Sequence, residues 1–289
     1  MRQLSTTSVG LGLKRELIPQ LQAHDGQTAI AAIEFLEIAP ENWIGAGGKA
    51  AKQLAWLTEH YPMVAHGLSL SLGGPDPLNM PFLYQIKQFL DRHHISLYTE
   101  HLSYCAAEGY LYDLLPMPFT EEAVHHVASR IKQTQEVLER RIAIENAAYY
   151  VAAPIAEMDE LSFIQAVLDE ADCDWHLDVN NLYVNSINFG FDAQQFLQTA
   201  ADAGLAGRVV YGHIAGHQQE APDLLIDTHG ASVIEPVWDL LAQAYQLFGH
   251  FPTLLERDTH IPPLLDLMPE VEQIASLQGL ASLQGSASR

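Results

Sequence analysis

Residues 141–180 read R-I-A-I-E-N-A-A-Y-Y-V-A-A-P-I-A-E-M-D-E-L-S-F-I-Q-A-V-L-D-E-A-D-C-D-W-H-L-D-V-N. The stretch opens with a short apolar run, 141–146, and closes with another, 174–180, and 158–171 between them has helical character. Runs rich in Val, Ile, Leu and aromatics are what strands buried on both faces look like. Both runs finish on an acid and an amide: Glu145-Asn146 in the first, Asp178-Val179-Asn180 in the second.

The alternation continues in both directions. Further strand-like runs lie at 8–13, 33–39, 63–72, 95–102, 209–215 and 253–258. Further helical segments lie at 14–22, 49–60, 77–93, 120–140, 192–203, 232–248 and 263–274. Thr120, ahead of Glu121 and Glu122, and Asp192 are good N-caps. Eight strands alternating with eight helices in about 275 residues is the arithmetic of a (β/α)8 TIM-type barrel. An open doubly wound sheet would bring a nucleotide fingerprint, and the one candidate, G-L-G-L-K-R at 10–15, lacks the third glycine. There is no internal repeat and no Pro/Gly-rich linker at mid-chain, so one α/β barrel domain is expected over 1–275. The small, polar tail 276–289 is expected to fray.

Composition narrows the function classes. The 289 residues carry 14 Lys+Arg against 36 Asp+Glu, a formal net charge of −22. Such a chain repels a phosphate backbone, which argues against nucleic acid as a partner. A hydrophobic share of 48% with 17% charged residues is globular rather than disordered. Two cysteines, Cys105 and Cys173, make no disulfide framework and read as small buried residues. No apolar run reaches the roughly 18 residues of a membrane span. The N-terminal residues have no secretory apolar core. The expected location is the cytoplasm, with no membrane partner.

The chemistry gathers at the strand ends. The third run carries His66, the fourth ends Glu100-His101, and the fifth ends Glu145-Asn146. The sixth ends in Asp178, Asn180 and Asn181, the seventh carries His213, and the eighth ends Glu256-Arg257-Asp258. The second supplies Glu37, and the loop after the seventh adds Asp227-Thr228-His229. In a parallel barrel these ends meet at one rim, where barrel enzymes keep their sites. Unpaired, buried carboxylates and imidazoles each cost several kcal/mol. Only Arg257 among Lys and Arg falls in these strand-end motifs. A cluster of metal ions supplies the missing positive charge. Imidazoles and carboxylates without cysteine suit non-haem iron, manganese or catalytic zinc. Four histidines (His66, His101, His213, His229) and four carboxylates (Glu145, Asp178, Asp227, Glu256) exceed what one ion can use, so two or three bridged ions are expected. His176, read as lying away from a strand end, is assigned to the surface or to a supporting role. His217 and His260 stay undecided.

Taken together, H-G-L-S-L-S-L-G at 66–73, T-E-H-L-S-Y at 99–104, I-E-N at 144–146, L-D-V-N-N-L-Y-V-N at 177–185, H-I-A-G-H at 213–217, D-T-H at 227–229 and L-L-E-R-D at 254–258 resemble the multinuclear non-haem iron-dependent oxidative enzymes. The iron subunit that helps make methanobactin belongs to that family. The resemblance implies a TIM-type barrel holding two or three iron ions, with O2 as co-substrate. It implies oxidation of cysteines in a ribosomally made precursor peptide, to heterocycle- or thioamide-type products, with a partner protein presenting the peptide. Carried over by motif, the iron ligands would be His66, His101, Glu145, Asp178, His213, Asp227, His229 and Glu256. Asn181 stands where the methanobactin enzyme has histidine. An amide oxygen is the poorer iron ligand, which bears on whether a third iron is held.

Two other classes compete. One is a different metal barrel enzyme, a sugar isomerase or a trinuclear zinc endonuclease, the latter disfavoured by the −22 charge. The other is a non-catalytic escort that binds a metal-handling peptide and consumes no O2.

Overall fold

The strand–helix alternation closes on itself. In the computed structural model, which describes residues 4–286, eight parallel strands form a closed barrel in the order β1-β2-β3-β4-β7-β8-β9-β12. In chain order the strands are β1 (Val9–Gly12), β2 (Phe35–Ile38), β3 (Met63–Gly67), β4 (Tyr98–His101), β5 (Tyr104–Ala106), β6 (Tyr110–Leu115), β7 (Ala143–Glu145), β8 (Asp174–Asp178), β9 (Val209–Ile214), β10 (Gln218–Ala221), β11 (Leu224–Ile226) and β12 (Thr253–Leu255). The helices are α1 (Ile18–Ala23), α2 (Gly48–His60), α3 (Met80–His93), α4 (Glu121–Leu138), α5 (Glu160–Ala171), α6 (Val179–Phe189), α7 (Ala193–Asp202), α8 (Glu235–Phe248) and α9 (Leu264–Ser286). The pairs β5–β6 and β10–β11 are antiparallel hairpins outside the barrel. Each follows a strand that delivers a histidine.

Side-chain alternation with period two sorts each strand into an outer and an inner face. Outward-facing Leu11, Leu36, Trp175, Leu177 and Leu255 join the large core under the helices. Inward-facing Phe35, Val64, Tyr211 and Leu254 form a separate apolar floor inside the barrel. A Cβ at Gly10 would collide with the Phe35 ring, so glycine is what lets that ring lie across the floor. Register then brings the polar residues above the floor to one level. His101 pairs with Glu145, Glu145 with His176, and Asp178 with His213.

Several segments differ from the sequence expectation. The run 63–72 is a strand only over Met63–Gly67, and the rest belongs to a loop held by α4. α6 was not expected, because its four Asn are poor helix formers; Asp178 starts it by accepting the Asn181 N–H at 2.7 Å. α9 extends to Ser286, and residues 287–289 of the tail that begins at 276 lie outside the described residues. The caps on α4 and α7 are Thr120 and Asp192, as the sequence indicates.

Candidate metal centre

Six of the eight expected ligands sit at or just past the carboxyl ends of barrel strands, and Asp227 and His229 come from the loop after β11; most of the eight are buried. They form a layer directly above the apolar floor. Around it the geometry falls into three overlapping groups.

In the first, His66 Nε2, His101 Nε2 and a Glu145 carboxylate oxygen form a near-equilateral triangle. His66 and His101 are 3.1 Å apart, and each is 3.2 Å from Glu145 Oε2. The tautomer of His101 follows from its other nitrogen: Nδ1 lies 3.2 Å from the Gly67 carbonyl, an acceptor only, so Nδ1 carries the proton. Its Nε2 lone pair therefore faces a second imidazole and a carboxylate. Burial first, and then His66, push His101 down to about 4. On His66 burial pulls the pKa down, and Glu145 outweighs it and lifts the pKa to about 9. Metal–ligand bonds of about 2.1 Å place neighbouring donors about 3.0 Å apart in an octahedron and about 3.4 Å apart in a tetrahedron. The observed triangle lies between the two.

The second group surrounds His213. Its Nε2 lies 2.9 Å from Glu37 Oε2, which also accepts the Tyr211 hydroxyl at 2.8 Å. That leaves Nδ1 facing Glu256 Oε2 at 3.0 Å, Glu145 Oε1 at 3.4 Å and Asp178 Oδ2 at 3.9 Å. A carboxylate behind an imidazole is the arrangement that orients a metal-binding histidine and raises its basicity. Glu145 turns one oxygen to the His66–His101 side and the other to His213, the posture of a bridging carboxylate.

The third group joins Asp178, Glu256 and His229. His229 Nδ1 is 3.4 Å from Glu256 Oε2, and its Nε2 is 2.6 Å from Asp227 Oδ1. Asp227 is held by Asn180 Nδ2 at 2.7 Å, and Asn180 by His217 at 2.8 Å. Asn181 donates its amide to the Asn146 carbonyl, leaves its oxygen without a partner, and lines a pocket together with Asp227, His229 and Glu256.

Orphaned atoms mark the layer as a cation site. Asp178 Oδ2, Asn181 Oδ1 and both ring nitrogens of His176 are buried without a hydrogen-bond partner. Each floor side chain contributes about 1.5–3 kcal/mol by burial. Each uncompensated buried ion costs several kcal/mol, so the floor cannot offset the layer. Arg257 turns away and pairs with Glu270 on α9. Lys14 reaches the edge of the mouth, where it pairs with Asp258. Burial raises Asp178, with Glu145 adding to it. For Glu145 and Glu256 burial acts in the same sense, but the surrounding histidines outweigh it and hold both well below the usual carboxylate range. These donors fit metal ions of the kind that nitrogen and oxygen ligands take.

Sequence reasoning missed two members. Glu37 was noticed at a strand end and given no role, yet it holds His213. His176 is fully buried inside the barrel, 3.9 Å from Glu145 Oε1, rather than in a surface position. Parity would have found both: Glu37 lies two residues after Phe35, and His176 two before Asp178, each on an inner face. Glu100, next to His101, has the opposite parity. It takes the Tyr98 hydroxyl at 2.6 Å behind Gly67 and stays outside the layer.

A TIM barrel with a rim of residues able to hold several metal ions is the class that fold and site define. Within that class, the model for RiPP precursor modification enzymes MbnB/TglH/ChrH matches residues 8–279, and the chain belongs to this family. RiPPs are ribosomally made peptides modified after synthesis. A UPF0276 protein of Nitrosospira multiformis is 59% identical over 280 residues, covering 97% of this chain and 96% of that protein. One from Pseudomonas aeruginosa is 49% identical over 278 residues, covering 96% and 95%. Among solved structures, D-psicose 3-epimerase from Clostridium cellulolyticum H10 superposes with a TM-score of 0.58 at 12% identity, covering 97% of this chain and 98% of the other. A 3-keto-D-glucoside 4-epimerase from E. coli gives 0.57 at 13%, covering 94% and 99%. At that identity the likeness concerns the barrel alone. No helix among the described residues is long and apolar enough to cross a membrane.

Proposed function

We propose that this protein is an iron- and O2-dependent enzyme that oxidises cysteine residues of a ribosomally made precursor peptide, with a partner protein presenting the peptide. Family membership supports the peptide substrate. One observation carries the metal: the His101 lone pair, fixed by the Gly67 carbonyl, faces His66 and Glu145 at 3.1 and 3.2 Å, and no Lys or Arg among the described residues lines that pocket. Donors of nitrogen and oxygen without sulfur suit non-haem iron. Bound iron would supply the one-electron and O2 chemistry that no side chain here can.

The ligands in this reading are His66, His101, Glu145, His213 and Glu256, with Asp178, Asp227, His229 and the weaker Asn181 at the third position; His176 faces Glu145 beside them. The chain's own task is to hold these donors in place. Thr99 bonds His66 at 2.6 Å, Glu37 aims His213, and Asn180 aims Asp227. The layer opens into a pocket of about 380 Å3, walled by Leu68, Tyr110, Leu111 and Tyr150 beside the ligands. A reducing cytoplasm would deliver the substrate cysteines as free thiols.

The test is to load the protein with iron and incubate it, with and without O2, with a cysteine-containing precursor encoded beside its gene, together with any partner encoded there. The reading expects losses of hydrogen mass from the peptide only with iron and O2. An unmodified peptide under full iron loading contradicts it. O2-independent turnover of a sugar would point instead to the epimerase-like reading.

A further inference from the structure

Beside the metal pocket lies an apolar hollow that the chemistry above does not use. It is about 400 Å3 in volume and sits between the starts of α5 and α7. Phe119, Tyr149, Leu161, Phe191 and Phe196 line it. Its rim carries Asp159 and Asp192, the N-caps of the two helices, and no Lys or Arg. The charge around it is lopsided. From residue 142 to residue 256 the chain has one Lys or Arg, Arg208, against 17 Asp or Glu. Arg208 is itself paired with Asp169 and Asp172.

The hollow and the metal pocket share a wall. Tyr149 lines the hollow, while Ala148 and Tyr150, its neighbours in the chain, line the metal pocket. The same loop leaves Tyr150, Val151 and Ile155 exposed, at 40%, 69% and 63%. Exposed apolar residues gathered in one place, rather than scattered singly, mark interaction sites.

We propose that this hollow docks a segment of the substrate peptide flanking the modified residue, one that places an aromatic or large aliphatic side chain beside Lys or Arg. The proposal rests on the peptide-substrate reading of the metal centre. An apolar floor takes the anchor, and the acidic rim takes the neighbouring cation. A hollow of this size holds one or two side chains, whereas a folded partner needs a face of about 800 Å2. Such an anchor would set which cysteine reaches the metal layer.

The experiment uses the full iron-loaded protein and two short fluorescein-labelled peptides. One alternates Lys with Phe and Leu, and the other has Ser in place of Phe and Leu. Two variants probe the hollow: Gln195→Lys, at an exposed position on its edge, and the pair Asp159→Asn with Asp192→Asn. Asn caps a helix about as well as Asp, so the pair removes charge and keeps the helix starts. A control pair, Glu235→Gln with Asp239→Asn on α8, removes equal charge elsewhere. Fluorescence anisotropy should give binding of the Phe/Leu peptide weakened about tenfold by either hollow variant and unchanged by the control, with the Ser peptide weaker by at least as much. Equal binding of the two peptides, or hollow variants within about twofold of wild type, overturns the proposal and leaves only diffuse attraction to an acidic surface. The two readings fail separately. A precursor oxidised by the hollow variants with wild-type KM sinks the docking site alone. A probe that docks as expected, with no precursor oxidised, sinks the oxidation reading alone.

Discussion

His213 has two ring nitrogens with opposite duties. Nε2 donates to Glu37 at 2.9 Å, and that bond presents the Nδ1 lone pair to Glu256 and Glu145. Glu37→Gln keeps an acceptor oxygen but removes the charge behind the ring. It should weaken metal binding about 10–100-fold with the fold intact, read by competitive metal titration and circular dichroism. His101→Ala removes a donor outright and should lose iron stoichiometrically; full iron content in that variant would take His101 out of the ligand set. A second residue gives a pH signature. Burial, opposed by hydrogen bonds from Tyr149 and Asn185, raises Glu160 to about 7. A carboxyl whose folded pKa lies above its unfolded value binds the extra proton in the native state. Stability should therefore fall as pH rises from about 4.5 to about 7, and Glu160→Gln should flatten that slope in denaturant melts. The acids and imidazoles at the strand ends were legible in the sequence because they close apolar runs. His176 was not, because a histidine in mid-strand looks the same from either face until the register is known.

At the scale of elements, the loops above the barrel are braced from behind. Arg130 on α4 donates to the carbonyls of Leu72 at 2.7 Å, Asp76 at 2.6 Å and Ser71 at 3.1 Å. The Ser71 hydroxyl then accepts the amides of Cys105 and Ala106, which fastens the β5–β6 hairpin over the metal pocket. Arg130→Met strands three carbonyls and should cost about 1–3 kcal/mol, read as a lower denaturant midpoint. It should also raise hydrogen exchange in residues 71–76 and 104–115, while exchange in the barrel strands stays slow. Neither hairpin was legible beforehand. β5 is only three residues long, and the Ser71 hydroxyl on its Cys105 and Ala106 amides helps fix its pairing with β6. The barrel strands were legible because each is buried on both faces. Their bounds were overrun wherever an apolar loop followed, as after Gly67.

Over the whole molecule, the barrel separates two environments. An apolar floor of Phe35, Val64, Tyr211 and Leu254 closes the interior, and above it acids and imidazoles from the ends of seven strands and one loop converge. The net charge of −22 already hinted that positive charge must come from elsewhere. The arrangement explains how: the donors are packed closely enough that protons or metal ions must lie between them. Anomalous diffraction at the iron edge, from crystals of iron-loaded protein, tests this most directly. The account predicts two or three peaks: one among His66, His101 and Glu145, one between Glu145, His213 and Glu256, and the third, where present, beside Asp178 and His229. Iron-replete crystals with no peak in the layer, and its side chains joined only through shared protons, would contradict it.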